Sequence, residues 1–96
     1  MDIYRISDIF VMASKREGLP RSTMEAMAAG LPCVVSDIRG NRDLIDDGKG
    51  GYLVSPTDAN GFATRITELI NNPASKLSMS QYNRSRVKEL DISNIQ

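Results

Sequence analysis

Two glutamates are the strongest candidates for binding or catalysis in this sequence. Glu17 and Glu25 are separated by seven residues within the stretch EGLPRSTMEAMAAG. Gly18 and Pro20 indicate a turn that leads into a helix, because proline suits the first helical turn, where its missing N–H is not needed. Free N–H groups and the dipole at a helix start can hold a phosphate, and carboxylates accept hydrogen bonds from sugar hydroxyls. Such an arrangement is suited to a nucleotide-sugar.

The helix that carries this chemistry is predicted over residues 20–29, with Gly30 as its C-terminal stop. The i, i+3, i+4 spacing of Met24, Met27 and Ala28 predicts its apolar face. Plainer interpretations of the site remain open at this stage. Arg21 and Glu25 could form a solvated i, i+4 ion pair, and Glu17 could be an ordinary loop acid. The hydroxyls of Ser22 and Thr23 are either ligand groups or plain first-turn residues.

Short apolar runs predict the strands that position this helix. They lie at 9–13 (IFVMA), 33–36 (CVVS) and 52–55 (YLVS), and continuous apolar runs are typical of strands covered on both faces. Residues 2–7 are predicted to be the end of a helix or the approach to one. Further helices are predicted at 41–46, 59–71 and 75–90, with Asn41 and Asp58 as the N-caps of the first two.

Several segments together resemble one known family. The E-x7-E spacing is joined by SDIFVMAS at 7–14, PCVVSD at 32–37, GNRDLIDDG at 40–48 and GYLVSPTD at 51–58. In this order and spacing they resemble retaining glycosyltransferases of the GT-B fold, in the family 4 or group 1 type. The resemblance implies an α/β fold: a three-stranded parallel sheet with flanking helices, forming the second half of a Rossmann-like C-terminal domain. Such domains commonly have the strand order 3-2-1-4-5-6.

The resemblance also implies roles for individual residues. Glu17 would contact the transferred sugar and act as the catalytic residue, and Glu25 would bind the ribose hydroxyls. The backbone around Gly18–Ser22 would serve the diphosphate and sugar, so the implied donor-binding residues are Glu17, Gly18, Leu19, Pro20, Arg21, Ser22 and Glu25. The substrate would be a nucleotide-diphosphate-sugar, transferred to an acceptor with retention, and no metal or other cofactor is expected. Asp43 stands where the family often has a glutamate.

Composition limits the remaining possibilities. Twelve basic and twelve acidic residues cancel in 96, so no charge imbalance suggests a nucleic-acid partner. The absence of histidine removes imidazole as catalyst or metal ligand. A single cysteine, Cys33, begins an apolar strand and is predicted to be a buried structural thiol in a reducing compartment. We therefore expect a cytoplasmic location, or a peripheral one at the inner membrane for a full-length enzyme.

The size of the chain predicts one partial domain, covering residues 1–96. The expected partners are the nucleotide-sugar donor, an absent N-terminal domain and the upstream half of the same domain, and the isolated chain is expected to be inactive. Without a strand 1, the strand at 9–13 would be an open edge and a site of self-association. Two other functions stay open: a free-standing nucleotide- or partner-binding module without catalysis, and a structural remnant that binds nothing.

Overall fold

A four-stranded mixed sheet forms the centre of the protein. The computed structural model describes residues 2–6, 8–13 and 21–94, without the side chains of 2–4 and 90–94. The strands are β1 (Asp2–Ile6), β2 (Ile9–Ala13), β3 (Cys33–Ser36) and β4 (Gly51–Val54). The helices are α1 (Arg21–Ala28), α2 (Arg39–Arg42), α3 (Ala59–Ile70) and α4 (Pro73–Asn94).

The three predicted strands pair as expected. The sheet order is β1-β2-β3-β4, and β2, β3 and β4 are parallel to one another. Helix α1 lies between β2 and β3 in the chain, while α2 lies between β3 and β4. Alternate residues of β2 and β3 enter separate apolar cores on opposite faces of the sheet, which explains their continuous apolar sequences. The α/β class with a parallel sheet is confirmed.

The prediction of a helix end at residues 2–7 is wrong, because Asp2–Ile6 form a strand antiparallel to β2. Tyr4 pairs with Val11, and Ile6 pairs with Ile9. An isolated helical turn is marginal in water, whereas a strand here supplies partners for the backbone groups of β2. The sheet therefore has one more strand than the sequence predicted.

The predicted open edge at 9–13 is wrong for the same reason. Strand β2 has β1 on one side and β3 on the other, so its backbone is not the template for self-association that we expected. An outer strand of the described sheet is instead β1. The physical cause is local: a short turn lets the chain fold back antiparallel onto the strand that follows.

Helix α4 connects the two faces of the sheet. Its residue Met79 belongs to the core beneath α3, and Val87 belongs to the core beneath α1. Between them, the buried Asn83 amide donates hydrogen bonds to the carbonyls of Leu31 and Gly50, each at 2.8 Å. These carbonyls precede β3 and β4, so α4 crosses at the N-terminal ends of the strands. The opposite, C-terminal edge of the sheet is left for a site.

Candidate functional site

Helix α1 begins at the C-terminal edge of the parallel strands, because it follows β2 in the chain. Parallel α/β sheets bind their ligands at this edge. The predicted helix is confirmed over residues 21–28, and Gly30 ends it with a φ of 78°, which favours glycine. Among the predicted site residues, the structure describes Arg21, Ser22 and Glu25. The other four, Glu17, Gly18, Leu19 and Pro20, lie outside the described residues.

The face that α1 buries differs from the predicted one. Thr23, Ala26 and Met27 are buried, whereas Met24 is half-buried and Ala28 is exposed. The inward face of α1 is thus rotated by about one residue from the predicted face. Inside the protein, a buried polar group accepts a hydrogen bond from the Thr23 hydroxyl. Thr23 therefore serves in packing and not as a ligand group.

Because this face of α1 is buried, the other candidate residues on the helix lie on the side that faces water. Arg21 and Glu25 are exposed and Ser22 is half-buried. No ion pair joins Arg21 to Glu25 among the residues that the structure describes, so the helix-surface ion pair does not account for Glu25. The Glu25 carboxylate is accessible on the helix whose first turn borders the predicted site.

A buried chain of hydrogen bonds holds α1 to the sheet. The Thr23 hydroxyl donates to Asn41 Oδ1 at 3.1 Å, and Asn41 Nδ2 donates to the Ser36 carbonyl at 2.9 Å. The Ser36 hydroxyl donates to the Met12 carbonyl at 3.3 Å. We call Thr23, Asn41 and Ser36 the buried polar triad; all three side chains are nearly inaccessible to water. It connects the first turn of α1 with the ends of β2 and β3, and so sets the position of the helix start.

The position of Asn41 differs from the predicted one. We predicted it as the N-cap of a helix at 41–46, but α2 spans Arg39–Arg42, with Ile38 at the N-cap position. Asn41 is inside α2 and 1% exposed, and its side chain bonds to Thr23 and Ser36 instead of a helical N–H. The sequence did contain a signal that Asn41 is buried. It stands three and four positions before Leu44 and Ile45, and this helical spacing puts all three residues on one face.

A charged pair joins the loop that follows β3 to the last residue of α2. Arg42 Nε donates to Asp37 Oδ1 at 2.6 Å, and both side chains are exposed. The hydrogen bond and the negative charge of Asp37 raise the pKa of Arg42. Arg42 is thus already paired at this edge. Among the described residues, no cluster of three or more His, Cys, Asp or Glu side chains could hold a metal ion.

A surface groove elsewhere on the protein does not coincide with the predicted site. A volume of about 580 Å³ lies between β4 and α3, beside Asp58, Arg65 and Glu68, and contains none of the predicted site residues. Asp58 caps α3 as predicted, since its Oδ1 accepts a hydrogen bond from the Gly61 N–H at 2.9 Å. The Arg65 guanidinium stacks on Tyr52 and pairs with Glu68. Because these groups bond to one another, the groove indicates packing and not a donor site.

Comparison with known sequences identifies a family pattern over most of the chain. A model of the family described as Glycosyl transferases group 1 matches residues 1–86. Spore coat protein SA of Bacillus subtilis is 37% identical over 84 residues, which are 85% of this chain and 22% of that protein. An Escherichia coli UDP-Gal:alpha-D-GlcNAc-diphosphoundecaprenol alpha-1,3-galactosyltransferase is 33% identical over 86 residues, 90% of this chain and 22% of that enzyme.

Solved structures agree with the sequence comparison. Sucrose-phosphate synthase of Thermosynechococcus elongatus matches with a TM-score of 0.82 and 31% identity over 86% of this chain, which corresponds to 21% of the synthase. The C-terminal domain of the group 1 protein LpcC of Francisella tularensis matches with a TM-score of 0.79 and 28% identity. That match covers 85% of this chain and 42% of the LpcC domain. The chain thus spans about a fifth of the two full-length curated relatives.

Proposed function

The chain belongs to the group 1 glycosyltransferases of the GT-B fold, and on that premise we propose that it forms the donor-binding part of a sugar-transferring enzyme. The complete enzyme transfers a sugar from a nucleotide-diphosphate donor to an acceptor with retention of the anomeric configuration. The observation that carries the proposal is the start of α1 at the C-terminal edge of the sheet, with an accessible Glu25 on that helix.

We assign a role to each group from its position along the chain. The N–H groups at the start of α1 and its dipole stabilise the negative diphosphate. Glu25, in the second turn, accepts hydrogen bonds from the ribose hydroxyls, and Glu17, before the helix, contacts the transferred sugar. No metal takes part in this proposal, since backbone amides and basic groups from the rest of the enzyme neutralise the leaving group.

The buried polar triad supports this proposal physically. A helix start stabilises a developing charge best when it does not have to reorganise during the reaction. Thr23, Asn41 and Ser36 hold α1 through buried hydrogen bonds, so the amides of its first turn keep a constant position relative to the strand ends. The same bonds keep Glu25 on the accessible side of the helix.

Donor binding is tested by NMR titration of the chain with UDP-, GDP- and ADP-sugars. We expect the amides of residues 21–25, together with those of 17–19, to shift before others. Affinity should be about millimolar, because one wall of the ligand site in a doubly wound fold comes from strands outside this chain. Shifts confined to α4, or spread evenly along the chain, would contradict the proposal.

The roles of the two glutamates are tested in an active enzyme. The host is the E. coli galactosyltransferase, with its matching 86-residue segment replaced by the corresponding part of this chain. Glu17→Gln should lower kcat far more than it weakens nucleotide binding, whereas Glu25→Gln should chiefly weaken nucleotide binding. Binding energy that is expressed only in the transition state appears in kcat.

The control for this experiment is Glu68→Gln, which removes an exposed carboxylate on α3 outside the proposed site. It should leave both kinetic constants unchanged. Small and equal effects of the Glu17 and Glu25 substitutions would assign both residues to the protein surface. Nucleotide binding without any transfer by the unsubstituted chimera would favour the non-catalytic binding module.

A further inference from the structure

The side-chain amide of Asn41 joins helix α1 to the end of strand β3. Its Oδ1 accepts a hydrogen bond from the Thr23 hydroxyl at 3.1 Å, and its Nδ2 donates to the Ser36 carbonyl at 2.9 Å. A carbonyl only accepts hydrogen bonds, so the Ser36 carbonyl determines which end of the amide faces α1. The oxygen of Asn41 is therefore held in front of the Thr23 hydroxyl.

The segment from Ser36 to Asn41 also holds strand β2. The Ser36 hydroxyl donates to the Met12 carbonyl at 3.3 Å, and Met12 is the residue before the end of β2 at Ala13. One short segment thus bonds to the end of β2 and to the first turn of α1, the two elements that flank the proposed donor-binding loop in the sequence. The segment therefore controls where α1 begins relative to the strand ends.

These hydrogen bonds are shielded from water. Thr23 and Ser36 are 0% exposed, and Asn41 is 1% exposed. Solvent does not compensate a buried polar group that loses its partner, so a displaced α1 would leave these groups unpaired. The bonds thus select one position of the helix, in addition to the packing that Ala26 and Met27 provide.

A displacement of α1 would affect nucleotide binding and sugar transfer differently. The amides of the first turn and Glu25 belong to the same helix, so they would move together with a bound nucleotide. The acceptor, in the proposed function, is held by parts of the enzyme outside this chain. Transfer requires the reacting atoms to lie about 3–3.5 Å apart, and a misplacement of about 1 Å costs about 100-fold in rate. Loss of the Asn41 bonds should therefore affect kcat more than nucleotide affinity.

We propose that Asn41 is a positioning residue for sugar transfer. Its amide fixes α1 against the end of β3, and α1 in turn aligns the bound donor with the acceptor. Asn41 itself contacts neither substrate, because it is buried and bonded to the inner side of the helix. The inference rests on the proposed donor site at the start of α1, and it adds that the segment after β3 determines how that site is aligned.

The test measures Asn41→Ala in the galactosyltransferase chimera described above. We expect kcat, expressed per folded enzyme, to fall about 10- to 100-fold, while the dissociation constant of UDP rises less than about threefold. Circular dichroism gives the folded fraction, and isothermal titration calorimetry gives the affinity for UDP.

Asn83→Ala is the matched control, because Asn83 is also a buried amide with two hydrogen bonds. It is 0% exposed and donates to the carbonyls of Leu31 and Gly50, each at 2.8 Å, at the opposite edge of the sheet. This variant should lose stability as Asn41→Ala does, but its kcat per folded enzyme should stay within about twofold of the unsubstituted chimera. The comparison separates a positioning role from a purely structural one.

A second pair of variants tests the same bond from the side of α1. Thr23→Val keeps the shape of the side chain but removes the hydroxyl, and it should lower kcat without weakening UDP binding. Thr23→Ser keeps the donor and should hold kcat within about threefold of the unsubstituted chimera. In the Asn41→Ala background, Thr23→Val should have no further effect, since the bond is already absent. This pair decides the question if Asn41→Ala does not fold.

Equal losses of kcat in Asn41→Ala and Asn83→Ala would overturn the proposal, as would a UDP affinity that falls as much as kcat. Unchanged kcat in both Asn41→Ala and Thr23→Val would also overturn it and would leave the proposed function intact. An unsubstituted chimera that binds UDP but transfers no sugar would instead contradict the proposed function, and this inference with it.

Discussion

Single buried polar residues determine how this protein positions its candidate site. Asn41 is an example, because its side-chain amide bonds to Thr23 on one side and to the Ser36 carbonyl on the other. A buried polar group that loses its partner costs more free energy than the bond contributed when formed, since water cannot replace the partner. The position of α1 therefore depends on one amide group that makes no proposed contact with the donor.

Asn41→Ala should lower the free energy of unfolding by about 2–4 kcal/mol, because it leaves the Thr23 hydroxyl without its acceptor and removes a donor from the Ser36 carbonyl. Thr23→Val, which keeps the shape, should cost about 1 kcal/mol alone and less in the Asn41→Ala background. Urea denaturation of the four proteins measures the coupling. Arg42→Ala, which breaks an exposed ion pair made by the neighbouring residue of α2, is the control and should change little. Additive effects at positions 23 and 41 would mean that the bond is not formed.

Because of Cys33, the free energy of unfolding should fall as the pH rises through the alkaline range. Burial raises the pKa of its thiol from 9.0 to about 12. Below pH 9 the thiol is protonated in both the folded and unfolded states, so its contribution is fully present. Between pH 9 and about 12 only the unfolded chain loses the proton, and stability falls by up to about 1.4 kcal/mol per pH unit. Tyr82 also has a raised pKa, because it donates a hydrogen bond to Asp46. The measurement is therefore the difference between wild type and Cys33→Ala, and parallel pH curves would contradict the prediction.

Helix α4 and the loop before β4 supply hydrogen-bond partners to backbone groups at the strand ends and the outer edge of the sheet. No pattern in the sequence indicates these partners. The Asn83 side chain bonds to two carbonyls at the N-terminal ends of β3 and β4. On the outer side of β4, the Asp47 carboxylate accepts a hydrogen bond from the Leu53 N–H at 2.9 Å. That backbone N–H would otherwise be open to pairing with another chain. The Asp47 carboxylate thus takes the place of a neighbouring strand at this position of the edge.

Gly50→Ala should destabilise the protein by about 1–3 kcal/mol, because the added Cβ would lie 2.0 Å from Asn83 Oδ1. Asn83→Ala removes that atom, so the glycine substitution should cost less in the Asn83→Ala background. Thermal unfolding of the single and double variants measures the difference. The matched control is Gly48→Ala, whose cost arises from a φ of 87° with nothing within 4 Å. Its cost should be the same in both backgrounds, and an equal cost of Gly50→Ala in both would show that Asn83 is not the obstacle.

At the scale of the whole molecule, β1 decides which edge of the sheet is open. The Phe10 N–H donates to the Pro32 carbonyl on the β3 side, so the next amide, that of Val11, points towards β1. The register pairs Val11 with Tyr4, and alternate residues of β1 direct their amides away from β2. Protection of the Val11 amide therefore reports whether β1 is in place.

Hydrogen exchange should show both Phe10 and Val11 protected, with no loss of protection on dilution. Tyr4→Pro removes the N–H that donates to the Val11 carbonyl in this pair, and losing that bond weakens the attachment of β1 to β2. The Val11 amide should therefore lose its protection, while the Phe10 amide should keep it. Arg5→Pro is the control, since the register directs the Arg5 amide to the outer side of β1, and it should leave Val11 protected. Rapid exchange of Val11 in the wild type would restore the interpretation in which β2 is an open edge.

Features that depend on a local sequence pattern were predicted correctly without the structure. The parallel strands follow from continuous apolar runs, α1 from a proline start and a glycine stop, and the Asp58 cap from a carboxylate before a helical stripe. The family follows from motifs in a fixed order, and the comparisons confirm it. Each of the signals for a strand, helix or cap lies within about a dozen neighbouring residues, where propensity and spacing act.

Other features depend on pairing between separate elements and are settled only in the folded protein. Residues 2–6 form a strand because they pair with β2, a partner that their own apolar spacing does not reveal. The inward face of α1 was set by Asn41, eighteen residues beyond Thr23, and not by the methionine spacing. Asn83 reaches carbonyls 52 and 33 residues away. Side chains that satisfy a distant buried group have no local signature, because the free energy they contribute exists only after the fold brings the two groups together.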